Sequence, residues 1–211
     1  ERWASGGLDF QRVEVDAFEI DDSLHPHLFK TLEKYRQYLN VVPIIRGDDF
    51  VLAAVDSLCG SLFAEALPRY THAILNPPYK KIRSDSVHRL ALRRAGIETV
   101  NLYSAFLALS LSLLENHGQL VAIIPRSFCN GPYYRPFREY VLRRAAILHM
   151  HLFTSRKKAF KDDDVLQENV ILMLERGAQQ GNVTVTTSTD DSFTDMETHT
   201  YPFDRIVFPS D

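Results

Sequence analysis

Residues 76–79 read Asn-Pro-Pro-Tyr, directly after the apolar run Ala73-Ile74-Leu75 and directly before Lys80 and Lys81. The Asn76 amide oxygen can accept a hydrogen bond from an amine. Pro77 has a carbonyl but no N–H, so that carbonyl can be presented to a ligand. Pro77 and Pro78 together stiffen the loop, and Tyr79 offers a flat face on which an aromatic base can stack. Two acceptors and a stacking face suit a planar substrate that bears an NH2 group. The plainer alternative is a proline-rich turn with Tyr79 half buried.

Two further places put carboxylates where a ligand could meet them. Glu19 closes the apolar run that starts at Arg12 and is followed by Asp21, Asp22 and Ser23. An acidic residue at such a strand end can accept hydrogen bonds from ribose hydroxyls. Asp21, Asp22 or Ser23 can equally cap the helix that follows. Asp48 and Asp49 follow Gly47 in "IIRGDDF", where a carboxylate could meet the amine of an adenine ring. A solvated turn is the competing reading there, because Gly and Asp are common turn residues.

These residues need strands that end where ligands bind. Apolar patterning predicts strands over about 12–20, 41–45, 72–75, 119–125, 146–153 and 170–175. Helical spacing predicts helices within 22–39, 86–95, 101–118 and 132–145, with Gly118 ending the third and Pro136 in the first turn of the fourth. Strands alternating with helices imply an α/β fold with a mostly parallel sheet. In such sheets ligands bind outside the carboxyl ends of the strands. Residues 1–180 are expected to form one core. After Gly181 the chain turns rich in Thr, Ser and Asp, which suggests a linker or the start of a further domain over 181–211.

Bulk properties exclude more than they assign. The chain has 211 residues, 45% of them hydrophobic and 24% charged, as a globular protein would. A net charge of -3 gives no global nucleic-acid signature, so local clusters must carry that argument. The two cysteines, Cys59 and Cys129, form no metal-binding spacing, and a reducing cytosol is the default expectation. No apolar run approaches the roughly 20 residues of a membrane span. No metal site is expected.

Asn-Pro-Pro-Tyr after an apolar strand resembles the catalytic motif of S-adenosylmethionine-dependent amino-methyltransferases. The wider pattern is similar to gamma-class DNA adenine-N6 methyltransferases of restriction–modification systems, nearest the TaqI-like and BsuBI/PstI-like branches. "NLYSAFLALSLSLLENHGQLVAIIPRSF" resembles the family's helix and strand after the catalytic loop, and "RKKAFKDDDVLQENVILMLERG" its closing motif. The resemblance covers about residues 12–176. It implies a Rossmann-like core with a mostly parallel sheet and an antiparallel final strand. It implies that Glu19 binds the cofactor ribose, Asp48 or its neighbour Asp49 meets the cofactor adenine, and Asn76, Pro77, Pro78 and Tyr79 hold the target base. Asn76 would also lie beside the cofactor, and Phe160 would pack on the base opposite Tyr79. The implied cofactor is S-adenosylmethionine, the implied partners are double-stranded DNA and a cognate restriction endonuclease, and the implied location is a prokaryotic cytoplasm.

The implied reaction has a simple physical basis. Adenine's exocyclic amine is a weak nucleophile because its lone pair is delocalised into the ring. Hydrogen bonds to the Asn76 oxygen and the Pro77 carbonyl localise that pair and strengthen as positive charge develops. Flipping the base out of a duplex costs a few kcal/mol. Stacking offsets this by roughly 1–3 kcal/mol per base. Lys80, Lys81, Arg83, Arg126, Arg135, Arg138, Arg156, Lys157, Lys158 and Lys161 are candidate phosphate contacts on the ligand side of the sheet. A solvated surface is the alternative for each. Cys129 lacks a neighbouring base and is not expected to be a nucleophile. The scattered histidines look structural or exposed.

One family element is absent from the sequence. The Gly-rich loop after the first strand should lie just before residue 12, yet "ASGGLDF" lacks its spacing. This predicts that the first strand and its loop lie upstream of residue 1, and that this chain alone binds cofactor poorly. The same loop chemistry occurs in enzymes that methylate a protein glutamine amide or an RNA base, and a non-catalytic DNA-binding fragment is a third reading.

Overall fold

A computed structural model describes residues 10–61, 65–154 and 168–208. Phe160, Arg156, Lys157, Lys158 and Lys161 lie outside the described residues, as does the stretch holding Gly6 and Gly7. The chain divides into two compact units, Glu1–Ala53 and Ala54–Asp211.

In the first unit, β1 (Val13–Phe18) and β2 (Val41–Arg46) pair in parallel, from Val13 opposite Val41 to Phe18 opposite Arg46. A parallel pair needs a crossover, and α1 (His25–Leu39) supplies it. Pro26 stands in the first turn of α1, where its missing N–H costs no helix bond. Asn40 closes the helix in the left-handed region at φ 45°, its N–H donating to the Arg36 carbonyl. Asp16 and Arg46 tie the strands at 3.1 Å, with side chains only 4% and 12% exposed. Helix α2 (Phe50–Cys59) opens in this unit.

The second unit is built on β3 (Tyr70–Leu75), α3 (Val87–Arg94), α4 (Leu102–Leu113), β4 (Leu114–Pro125), α5 (Arg135–Leu142), β5 (Ala145–Phe153), β6 (Asn169–Arg176), β7 (Val183–Ser188) and β8 (Glu197–Tyr201). Its six-stranded sheet has the order β3-β4-β6-β5-β7-β8. β3, β4, β5 and β7 run one way, whereas β6 and β8 run the other. The expected antiparallel strand is therefore β6, inserted between β4 and β5. Residues 183–188 and 197–201, in the stretch expected to be a linker or a new domain, continue this same sheet.

Helix α4 is apolar nearly all round and buries Tyr103, Ala105, Leu107, Ala108, Leu109, Leu111 and Leu113 against β3, β4 and α5. A helix with no polar face must lie inside. Leu120, Ala122 and Ile124 of β4 and Val170, Leu172 and Leu174 of β6 complete the core beneath it.

Helix α4 ends at Leu113, five residues before the Gly118 stop that the sequence suggests. Its terminal carbonyls are satisfied by side chains from afar. Arg69 donates to the Ser112 carbonyl, and Arg176 to those of Ser112 and Leu114. Tyr70 lies opposite Leu114 and His72 opposite Gln119, so residues 115–118 bulge out across from Thr71 alone. Gly118 serves that bulge. A Cβ there would sit 3.1 Å from the Thr71 carbonyl oxygen and 3.0 Å from that of Glu115. The expected helix at 132–145 is also shorter: a 3-10 turn over Pro132–Tyr134 leads into α5, with Pro136 in its first turn.

Candidate functional site

The loops after β1 and β2 meet within the first unit. The Glu19 N–H donates to the Arg46 carbonyl at 3.0 Å, extending the strand pairing by one residue. The half-buried Glu19 side chain accepts from the Asp21 N–H at 2.9 Å, and His25 Nε2 donates to the Glu19 carbonyl at 2.7 Å. Asp21 caps the short turn Asp22–Leu24, accepting from the Ser23 hydroxyl at 2.6 Å and the Ser23 N–H at 2.9 Å. Those two bonds, the hydroxyl's first, hold its carboxyl below the usual range. The capping alternative thus applies to Asp21 and leaves Glu19 at the strand end.

Gly47 lets the second loop approach the first. A Cβ there would come within 3.3 Å of both Asp22 Oδ1 and His25 Cε1. The two adjacent aspartates then divide. Asp49 Oδ1 accepts from the Leu52 N–H at 3.2 Å, and the Asp49 carbonyl accepts from Ala53, as an N-cap does. Asp48 is exposed and forms no hydrogen bond among the described residues. Glu19 and Asp48 thus each leave a carboxylate at a strand end, whereas Asp49 is bonded to the helix that follows.

In the second unit, β3 stops at Leu75 and the Asn-Pro-Pro-Tyr loop begins at its carboxyl end. Asn76 and Pro78 are exposed, Pro77 is buried and Tyr79 is half-buried. The Asn76 side chain has no hydrogen-bond partner among the described residues. The loop's exit is pinned: Leu102 N–H donates to the Lys80 carbonyl at 2.9 Å and Ile82 N–H to the Val100 carbonyl at 2.7 Å. Lys81 pairs with Asn101 between them.

An aromatic wall stands behind the loop. Tyr103, 2% exposed in the first turn of α4, meets the Tyr79 ring edge-on with centroids 6.3 Å apart. Tyr134 and Phe137 pack on the other sides of Tyr103, at 6.1 Å and 6.5 Å. Burial first, and then the Tyr134 hydroxyl, raise the Tyr103 phenol above its ordinary range. Its hydroxyl makes no well-formed hydrogen bond among the described residues, despite lying near Tyr134 and Ser127. Asn101 occupies the N-cap position of α4 without capping it. Its side-chain amide donates instead to the Tyr134 hydroxyl at 2.8 Å. Sequence reading missed this network, because Asn101 has the look of an ordinary cap and its partner is 33 residues away.

The candidate phosphate contacts separate into kinds. Lys80, Lys81 and Arg83 are exposed beside the loop, with Arg83 3.3 Å from Asp85. Arg126 lies at the carboxyl end of β4, half-exposed and 3.6 Å from Glu168. Arg135 pairs with Glu139 at 3.0 Å. Half-buried Arg138 donates to the Phe128 and Gly131 carbonyls at 3.0 Å and 2.8 Å and so braces the 127–135 loop.

Burial pushes the Cys129 thiol up to about 11, against the opposing pull of Arg126 and Arg138, which suits an inert side chain. His151 is 4% exposed and bonds Thr186 and Ser188 at 2.8 Å and 3.0 Å; His149 shares Thr186 at 2.7 Å. Both are structural, as expected. Among the described residues no group of three or more His, Cys, Asp or Glu could hold a metal, and no helix is long and apolar enough to cross a membrane.

Comparison with known proteins adds the decisive observation. The chain is 54% identical over 202 residues to the Type II methyltransferase M.BsuBI of Bacillus subtilis, and 48% identical over 201 residues to the Type II methyltransferase M.PstI of Providencia stuartii. Residues 68–160 match the Eco57I restriction-modification methylase family. Over nearly its whole length the chain is similar to restriction–modification methyltransferases. These matches cover 95% and 92% of the chain but only 40% and 39% of the two relatives.

The fold agrees with these similarities. The type IIG restriction endonuclease BpuSI superposes with a TM-score of 0.65 at 18% identity, over 90% of this chain and 25% of that one. The methyltransferase subunit of a type I restriction-modification system from Streptococcus thermophilus superposes with a TM-score of 0.57 at 15% identity, over 89% of this chain and 44% of that one. The architecture is that of S-adenosylmethionine-dependent class I methyltransferases.

Proposed function

We propose that this chain is the catalytic core segment of a site-specific DNA methyltransferase that transfers a methyl group to N6 of an adenine flipped out of the duplex, in a restriction–modification system. The observation that carries the reading is the loop at the end of β3. It leaves the Asn76 amide uncommitted, anchors Pro77 in the interior and sets the Tyr79 ring against a buried tyrosine.

S-adenosylmethionine, when bound, supplies an electrophilic methyl group on a sulfonium. The residues present fit it in part. Glu19 stands at the end of β1 for the ribose hydroxyls, and Asp48 is the uncommitted carboxylate for the adenine amine. At the reacting base, the Asn76 oxygen and the Pro77 carbonyl accept both N–H groups of the target amine. Acceptors fixed before the reaction stabilise the positive charge that grows on that nitrogen. Tyr79 stacks on the base and offsets the cost of flipping it. Phe160 is the proposed second face, and Lys80, Lys81, Arg83, Arg126, Lys157 and Lys158 the proposed phosphate contacts. A cognate restriction endonuclease is the proposed functional partner.

The test is methyl transfer from labelled cofactor to duplex DNA by the full-length protein. Label is expected at N6 of adenine, and its rate of appearance should fall roughly 10²–10³-fold with Asn76→Ala. Label in protein, in RNA or at cytosine would overturn the reading.

A further inference from the structure

We propose that the Ala54–Asp211 unit carries a second ligand site, a cavity at the amino-terminal end of its sheet that binds a small phosphate-bearing anion. The cavity holds about 590 Å³, and Arg69, Arg94, Arg144 and Arg176 line it with Ser112 and Tyr140. The four arginines come from four places in the chain. Arg69 precedes β3, Arg94 ends α3, Arg144 precedes β5 and Arg176 ends β6. Because β6 runs against β4 and β5, its last residue reaches the end at which those strands begin. The Asn-Pro-Pro-Tyr loop lies at the opposite end of β3. Six strand residues separate the two by about 20 Å. The ligand is therefore not the base being methylated.

Two of the arginines have a structural task. Arg69 and Arg176 close the carbonyl end of α4. That task does not explain Arg94 or Arg144. Arg144 lies flat on the Tyr140 ring, its guanidinium carbon 3.7 Å from the ring centroid, and donates to the Tyr140 carbonyl at 3.3 Å. Arg94 donates to Asp56 at 2.8 Å. A guanidinium has five N–H donors, and these bonds use one or two apiece. The lining contains no Asp or Glu, and among the described residues Asp56 is the one carboxylate bonded to any of the four.

Asp56 offsets the charge of Arg94, and the three like charges that remain around the cavity repel unless an anion joins them. Planar guanidinium forks match phosphate oxygens two at a time. Stacking fixes the plane of the Arg144 fork in advance, which lowers the entropy lost on binding. A cavity of this size takes a phosphate or pyrophosphate group, whereas a duplex cannot enter it.

The test uses full-length protein titrated calorimetrically with inorganic phosphate and, separately, with pyrophosphate. Saturable binding of at least one is expected, weakened at least tenfold in Arg94→Gln/Arg144→Gln, with cofactor affinity and circular dichroism unchanged. Arg144→Lys keeps the charge and loses the fork, so it should weaken binding even if the double variant fails to fold. Absence of saturable binding, or equal affinity in Arg144→Lys and the native protein, would overturn the proposal. So would anion binding that competes with methylation substrate, because that would place the anion at the catalytic end. Loss of methyl transfer alone bears on the catalytic loop and not on this site.

Discussion

The carboxylate loops after β1 and β2 and the amide loop after β3 stand at corresponding strand ends, yet they are built by opposite means. The carboxyl groups of Glu19, Asp21 and Asp49 accept from residues two or three positions away, although the Glu19 backbone also bonds Arg46 and His25. The Asn-Pro-Pro-Tyr loop is held by partners more than 20 residues off, through Lys80 to Leu102 and Tyr79 to Tyr103. Local bonds suit the proposed presentation of a carboxylate, which tolerates some movement about its partner. Long-range packing suits the role proposed for the Asn-Pro-Pro-Tyr loop, whose acceptors would need close placement against a developing charge.

That contrast predicts effects of graded size. Asn76→Ala removes an acceptor aimed at the transition state, and methyl-transfer kcat should fall roughly 10²–10³-fold with cofactor affinity unchanged. An equal loss of cofactor binding would make the two loops one functional unit. Tyr79→Ala should cost about 1–3 kcal/mol of base stacking, seen as weaker flipping of a fluorescent base analogue, while Tyr79→Phe keeps most of it. Asp48 and Asp49 should separate cleanly. Asp48→Asn should weaken cofactor binding without changing the melting temperature. Asp49→Ala should cost about 1 kcal/mol of stability through the lost helix cap. Tyr134→Phe deletes the acceptor of the Asn101 amide and should cost about 1 kcal/mol in denaturant unfolding, with a kcat loss of only a few-fold. An unaffected kcat would mean that the tyrosine wall supports the fold and not the loop.

The smallest effect concerns Cys129. With its thiol pushed up to about 11, the thiolate is scarce near neutral pH and alkylation should stay slow until the pH approaches that value. Exposed Cys59 should react first, which mass mapping of a pH series would reveal.

Much of this was legible beforehand. Apolar runs located β1 through β6; in β4, β5 and β6 burial is written in the strand's own residues, whereas β1 and β3 carry the apolar pattern without a fully buried residue. The ends were less legible. Helix α4 stops at Leu113 because Arg69 and Arg176 satisfy its carbonyls, and neither lies near it in sequence. Gly118, which looks like a helix stop, answers a crowding carbonyl from β3. Strand β7 shows as little more than Val183 and Val185, and β8 is exposed throughout, so neither carries a strong pattern.

The sequence by itself determined which capacities are on offer. Asn, Pro and Tyr at adjacent positions after a strand supply an amide acceptor, a carbonyl without its own N–H and a ring face, because those capacities belong to the residue types. Tertiary structure decided which groups remain available for that chemistry. It committed Asp49 to a helix and left Asp48 uncommitted, and it set Arg138 on the Phe128 and Gly131 carbonyls. It drew Asn101 from its cap position onto Tyr134. Each outcome depends on which hydrogen-bond partners come within reach, and for the residues most distant in sequence only the folded chain sets that.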